Sequence, residues 1–390
     1  MTNGAARLNC AIIGAGVIGS ATALALTQTG AKVTLFDRFD FGHDHGSSHG
    51  PTRLFRTAYF EHPDYVPLLK RAQGMWRALQ AAAGEQLVFE TGVVETGPPD
   101  GFVISGVRRA AREHKLHVET LNRTQLEEKC PGLAPPSSHD VLFEREAGFL
   151  RADMIINAQL GLAHNNGAIM RPGTNITSWH AGRDGVRVET PSGTEKFDRL
   201  IIACGPWAND MLGDVGVKCS PVAKALFWRR TPNASYSNTN GFTPFAVETD
   251  DARMFYGFPA IDEDGVKFGE HTGGAALAGA DDRPATPTND DIDSAEAFLG
   301  AFIRPLAGKA DKHAMCTYAM SPDGHFVIDR HPLDAERVCF AAGLSGHGFK
   351  FAPVIAEALA RMAVSEDDPD GFAFLSLKRF TEAGGCRLSP

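Results

Sequence analysis

Three glycines constrain this chain more than any other feature. They fall in Gly14-Ala15-Gly16-Val17-Ile18-Gly19, between an apolar run, Leu8 to Ile13, and an Ala/Leu-rich stretch that ends near Thr29. The first run reads as a buried strand and the second as a helix that stops at Gly30. A second apolar run, Lys32 to Phe36, ends on Asp37. This is a complete βαβ opening unit. Its glycines let backbone approach a diphosphate, its helix N-terminus supplies partial positive charge, and Asp37 can bind ribose hydroxyls. A tight turn with no ligand is the plainer alternative, and the strand, helix and acidic residue in register favour dinucleotide binding over it. The motif does not separate a flavin from a nicotinamide dinucleotide.

The rest of the chain sets limits. Its 390 residues, 43% of them hydrophobic, are ample for a core and suggest two domains. The formal charge of −9 comes without any basic stretch, which argues against nucleic acid as a partner. The seven cysteines, Cys386 among them, are scattered and odd in number, with no Cys-x-x-Cys pair. That favours a reducing cytoplasm, no disulfide scaffold and no metal site. Residues Cys10 to Leu26 are uncharged and follow Arg7, as in a signal peptide, but the glycines interrupt them. No other run is long and apolar enough to span a bilayer, so no membrane partner is expected.

Further along, Asp64 to Leu79 reads as an amphipathic helix with Tyr65, Leu68, Leu69, Ala72, Trp76 and Leu79 on one face. Gly106 to Lys115 reads as another helix, and Arg199 to Ala203 as a buried strand. The stretch from Val222 to about Tyr318 alternates turns with short apolar runs and reads as a β-rich insertion. Val338 to Ala342, a glycine-rich loop and Pro353 to Val364 restore a strand–loop–helix texture.

Four segments carry candidate chemistry. His49, Arg53 and Arg56 fall in a loop of small residues, Gly46 to Arg56, suited to an anion or an electron-rich ring; alone it reads as a solvated basic loop. Tyr256-Gly257-Phe258-Pro259 precedes Lys267 and His271, and alternation in Val266-Lys267-Phe268 would leave Lys267 an exposed strand lysine. Cys316 opens Cys316-Thr317-Tyr318-Ala319-Met320-Ser321-Pro322-Asp323-Gly324-His325; a lone cysteine is most often a small buried hydrophobe. Gly346, His347, Gly348, Phe349 and Lys350 sit between a strand and a helix, a seat for negative charge or simply a tight turn.

Together, and in this order along nearly the whole chain, these segments resemble the monomeric sarcosine oxidase and N-methyltryptophan oxidase family of flavoenzymes. The resemblance implies a discontinuous Rossmann-like FAD-binding domain, residues 1–88, 152–221 and 321–390. A catalytic domain on a mixed β-sheet, residues 89–151 and 222–320, would be inserted in it, giving an α/β fold that is α+β overall. It implies FAD bonded covalently through Cys316, Lys267 beside flavin N5 promoting reaction with oxygen, and Arg56 with Lys350 clamping a substrate carboxylate. Arg53 and His49 would lie near the flavin ring, and Tyr256 and His271 near the substrate. Gly14, Gly16, Gly19, Asp37 and the Gly346–Phe349 loop would hold the cofactor. The implied reaction is hydride transfer from the carbon beside a secondary amine to flavin. Oxygen then reoxidises the flavin to give hydrogen peroxide, and the imine hydrolyses to aldehyde and amine. The expected partners are a small amino-acid substrate and oxygen, and the expected state a monomer. Ser48 and Pro51 stand where the family often shows histidine and aspartate, and Ala246 is small in a segment, Phe245 to Glu248, expected to wall the pocket. The substrate therefore stays open among sarcosine, larger N-methyl amino acids, a cyclic imino acid and a sugar–amine adduct. The rivals are a flavin dehydrogenase, a nicotinamide-dependent dehydrogenase and a non-catalytic dinucleotide-binding protein.

Overall fold

A computed structural model describes residues 7–213, 215–365 and 369–381. Cys386 and the outer ends of the first and last expected cofactor-domain segments lie outside the described residues.

The opening unit folds as read. Strand β1 is Asn9–Ile13, helix α1 is Val17–Gln28 and strand β2 is Lys32–Phe36. β1 lies inside a sheet whose order is Val327–Arg330, Val338–Ala342, Arg199–Ile202, β1, β2, Ile169–Arg171. It pairs in parallel with β2 and with Arg199–Ile202, and only the Val327–Arg330 edge is antiparallel. Alternation along these apolar strands feeds two cores. Cys10, Ile12, Val33, Leu35 and Ile201 face one, where α1 packs on helices Ala152–Asn165 and Ala352–Val364. Ala11, Ile13, Phe36, Leu200 and Ile202 face the other, covered by Val186, Val188 and Phe197 of a small antiparallel sheet.

A second, mixed sheet of nine strands among the described residues draws on two stretches of chain, 93–144 and 220–320. Its one parallel pairing joins Phe245–Glu248 to Val93–Gly97, and its long strand Ser220–Arg229 also carries Val266–Glu270 and Lys312–Met320. A separate three-stranded sheet holds β3, Thr52–Phe55, against Gly148–Arg151, with Val88–Phe89 on the far side. Helix α2, Val66–Ala83, buries Leu68, Leu69, Ala72, Trp76 and Leu79 as its periodicity dictates. Among the described residues no helix is long and apolar enough to cross a membrane.

Three expectations need correction. The helix expected at Gly106 to Lys115 starts at Phe102, because the Glu248 carboxylate accepts from the Phe102 and Val103 N–H groups at 3.1 and 2.8 Å. A cap supplied from so distant a strand leaves no local signal. The β-rich stretch contains a helix, Asn289–Phe302, opened by a reciprocal Thr288/Asp291 capping box and burying Phe298, Leu299 and Phe302 against the second sheet. Residues Phe245–Glu248 do not wall the cleft described below. Ala246 packs beside Ala58, Phe60 and Met254 inside the core.

Gly19 shows why the third glycine is needed. A Cβ there would stand 1.7 Å from the Gly14 carbonyl oxygen, so only glycine lets α1 rest on the end of β1. Gly19→Ala is expected to lower the unfolding free energy by about 1–3 kcal/mol or more, as overpacked contacts do. Denaturant titration checks this, and an unchanged midpoint would contradict the close packing.

Candidate active site

A long cleft runs along the carboxyl ends of β1 and β2 and continues between the two large sheets. Of the site residues expected from sequence, all but Gly19 line it: Gly14, Gly16, Asp37, His49, Arg53, Arg56, Tyr256, Lys267, His271, Cys316, Gly346, His347, Gly348, Phe349 and Lys350.

At one end the first turn of α1 faces the cleft with no side-chain cap at Gly16, although Ser48 Oγ accepts from the Val17 N–H at 3.1 Å. Gly14 is left-handed (φ +98°), and a Cβ on it would meet the Ala203 carbonyl oxygen at 2.4 Å. Asp37 Oδ2 accepts from the Ala15 N–H at 2.7 Å and Oδ1 from the Phe39 N–H at 2.9 Å, which fixes a carboxylate with lone pairs to spare. A helix N-terminus, a backbone cradle closed to a Cβ at Gly14 and an adjacent carboxylate are the donor and acceptor set that a diphosphate and a ribose require. These residues fit a dinucleotide such as FAD.

Further along, β3 sets two cations against backbone oxygens. Arg53 donates to the carbonyls of Thr52 at 2.8 Å, Ser47 at 2.9 Å and His49 at 2.6 Å. Lys267 is buried, not exposed: its Nζ donates to the same Thr52 carbonyl at 3.1 Å and lies 5.2 and 5.7 Å from the Phe258 and Trp228 rings. Burial, and then Arg53, push its ammonium well below the usual lysine range. The same two causes lower His49 to about 3, so its ring is neutral, and its buried Nε2 has no hydrogen bond among the described residues. That orphaned nitrogen is a second sign that the cleft is built for a polar ligand. Cys316 is buried beside Leu226, Trp228 and Tyr256, with Sγ 3.7 Å from the Ser47 carbonyl oxygen.

The glycine-rich loop after Val338–Ala342 winds through left-handed residues Gly343, Ser345 and Gly346. A Cβ on Gly346 would lie 2.1 Å from the Tyr318 ring, so the loop presses on the strand that carries Cys316. His347 Nε2 lies 2.9 Å from the Gly324 carbonyl, which can only accept, so that nitrogen carries the proton and Nδ1 accepts from Tyr59 Oη at 2.6 Å. Burial lowers His347 to about 4 and holds it neutral. Lys350 donates to the His347 carbonyl at 3.0 Å, and burial, then Arg56, lower it to about 7.

Arg56 lies over Phe60 at 3.6 Å and Tyr59 at 4.6 Å. Its Nη2 donates to both oxygens of Glu61 at 2.8 Å. Burial works to raise the Glu61 carboxyl, but Arg56, His347 and Lys350 pull it down to about 2. His271 Nδ1 is 3.3 Å from Tyr318 Oη, and burial lowers its ring to about 3. Lys224 donates to the carbonyls of His271, Thr272 and Gly273 and so fixes the turn that presents His271. Burial lowers this lysine to about 8.

Sequence reasoning missed Glu61, Lys224 and Tyr318, and with them Glu95 and Glu144, carboxyls buried near Arg56. Tyr318 lay in a quoted segment next to Cys316. The others sit on strands or loops where a charged residue reads as solvated, and only the fold turns them inward.

With this geometry in place, comparison with known proteins agrees. The profile of a family described as FAD dependent oxidoreductase matches residues 9–362. An N-methyl-L-tryptophan oxidase of Yersinia pestis (strain Pestoides F) is 36% identical over 370 residues, which span 95% of this chain and 98% of that protein. The structure of NikD, an unusual amino acid oxidase of nikkomycin biosynthesis, matches with a TM-score of 0.84 at 22% identity over 95% of this chain and 97% of that one. An L-proline dehydrogenase from P. horikoshii shares the fold with a TM-score of 0.80 at 17% identity, over 96% of this chain and 98% of that one. The chain is therefore an oxidoreductase of the FAD dependent oxidoreductase family, within the group of the monomeric sarcosine oxidases and N-methyltryptophan oxidases.

Proposed function

We propose that this enzyme oxidises secondary α-amino acids, with larger N-methyl amino acids favoured over sarcosine, and that oxygen is its electron acceptor. The observation that carries the reading is the Arg56 and Lys350 pair, two buried basic side chains that line the same cleft as Lys267 and Cys316. Glu61 shows what that seat accepts, since a carboxylate already bonds Arg56 there. A substrate carboxylate would take the same donors, and anchoring it supplies orientation rather than chemistry. The likeness to an N-methyl-L-tryptophan oxidase supports the larger substrates.

FAD, held by Gly14, Gly16, Asp37 and the Gly346–Phe349 loop, supplies hydride acceptance from the carbon beside the nitrogen and reoxidation by oxygen. The chain's own groups do the rest. Neutral His271 and Tyr256 meet the amine without repelling a proton on it. The rings of Phe60, Tyr59 and Phe258 keep water from the cations and strengthen their fields. Burial lowers the Lys267 ammonium well below the usual lysine range, and negative charge arriving in the cleft would favour its charged form and be stabilised by it. Cys316 is the proposed point of covalent attachment. In this reading the first sheet and its helices hold the cofactor, residues 89–151 and 222–320 form the substrate side, and the unpaired state of the six described cysteines supports a cytoplasmic setting.

Arg56→Met is expected to cut kcat/KM for an N-methyl amino acid by about 10- to 100-fold, mainly through KM, as loss of a charge-assisted contact worth about 1.5–3 kcal/mol requires. Unchanged steady-state kinetics would show that the substrate is recognised elsewhere. Lys267→Met should slow the reaction of reduced enzyme with oxygen by about 10²–10³ in stopped flow, with a smaller effect on anaerobic reduction. Equal oxygen rates would make Lys267 a structural lysine. After acid precipitation the yellow colour should stay with the protein and be freed by Cys316→Ala; colour in the wild-type supernatant would refute covalent attachment.

A further inference from the structure

Behind Arg56, on the side away from the cleft, lies a carboxyl group that the reading above does not use. Glu95, on strand Val93–Gly97, is 0% exposed and does not line the cleft. Neither of its oxygens has a hydrogen bond among the described residues, and neither does Arg56 Nη1, yet Oε1 and Nη1 are 3.7 Å apart. Buried polar atoms are rarely left without partners, and here the orphans face one another across a gap that a small shift of the guanidinium would close. Arg56 is otherwise confined. Phe60 and Tyr59 cover its face, Glu61 holds Nη2, and Glu144 fixes the next turn by accepting from the N–H groups of Thr57 and Ala58 at 2.7 and 3.1 Å.

We infer that Glu95 is a positioning residue whose protonation state decides how much of the Arg56 charge is available to a carboxylate in the cleft. Protonated, Glu95 leaves the guanidinium to its ligand. Ionised, it competes for the guanidinium from behind. The groups facing it are Arg56 and Glu61 from the loop after β3 and Glu144 from the neighbouring strand. Burial pushes its carboxyl up to about 8 against the pull of Arg56, with Glu144 and Glu61 adding to the rise. Anion affinity should therefore be full below that value and fall as pH rises through it. By linkage, anion binding should draw a proton onto Glu95. Lys350, at about 7, loses its own charge over a neighbouring range, so a variant is needed to separate the two.

This inference rests on Arg56 being the carboxylate seat. The test uses holoenzyme and indole-3-propanoate, a carboxylate with no amine to titrate, followed by calorimetry at about pH 6 and about pH 9 in buffers of different ionisation enthalpy. Glu95→Gln should match wild type within about threefold at the lower pH and bind about tenfold more tightly than wild type at the higher one, within the range of ordinary site–site coupling. Near pH 8 the wild type should take up protons on binding and the variant fewer; if Glu95→Gln does not fold, the uptake should persist in Lys350→Met, where Lys350 no longer titrates. Equal alkaline loss in both proteins, or a variant weaker at both pH values, overturns the role of Glu95, and so does wild-type binding without proton uptake. Binding that survives Arg56→Met overturns the carboxylate seat itself.

Discussion

Holding several cations in one largely dry cleft is the constraint on which the structure depends. Arg53, Arg56, Lys267 and Lys350 converge there, and an unpaired buried charge is among the most destabilising features a fold can carry. The protein offsets it in two ways. Arg53, Lys267 and Lys350 are tied to backbone carbonyls, the first two sharing Thr52, and burial lowers Lys267 and Lys350 toward the neutral form. Arg56 cannot neutralise, so acidic side chains surround it: the Glu61 carboxylate bonds it in front, the Glu95 carboxyl, raised by burial, stands behind, and Glu144 braces the next turn. Anions that enter the cleft finish a balance the protein leaves incomplete.

That arrangement explains the architecture around it. The parallel sheet presents the N-terminus of α1 and the glycine-rich loop from one side, where backbone N–H groups suit phosphate. The mixed sheet presents Tyr256, Lys267, His271 and Cys316 from the other, on strands Met254–Phe258, Val266–Glu270 and Lys312–Met320 and the turn at His271. The small sheet holding β3 carries Arg53 to the junction, with Arg56 just beyond the strand end. Side chains far apart in sequence thus meet without long flexible loops, and the turn held by Lys224 shows how firmly one of them is fixed.

Much of this was legible in the chain. The βαβ unit, α2 and the strand–loop–helix near the C-terminus follow from period and punctuation alone, because each is a local pattern with its own stop signal. Gly14, Gly16 and Asp37 were legible from the same βαβ pattern, but the roles of the other cleft residues were legible only through resemblance to a family; alternation alone would have put Lys267 in solvent. What stayed hidden depends on contacts between distant strands. The start of helix Phe102–His114 is set by Glu248. Glu61, Glu95 and Glu144 look like surface carboxylates until the sheets close around Arg56. Helix Asn289–Phe302 is different: its capping box was present in Thr288 and Asp291 and was outweighed by the turn-rich texture on either side.

The most direct test of the account is to incubate the purified enzyme with N-methyl-L-tryptophan, other N-methyl-L-amino acids and their descarboxy analogues, measuring aldehyde and hydrogen peroxide together. The account predicts equal amounts of peroxide and aldehyde from the amino acids and little of either from the amines lacking the carboxylate. Aldehyde without peroxide would identify an acceptor other than oxygen, and turnover indifferent to the carboxylate, or none with any N-substituted amino acid, would contradict the proposed reaction.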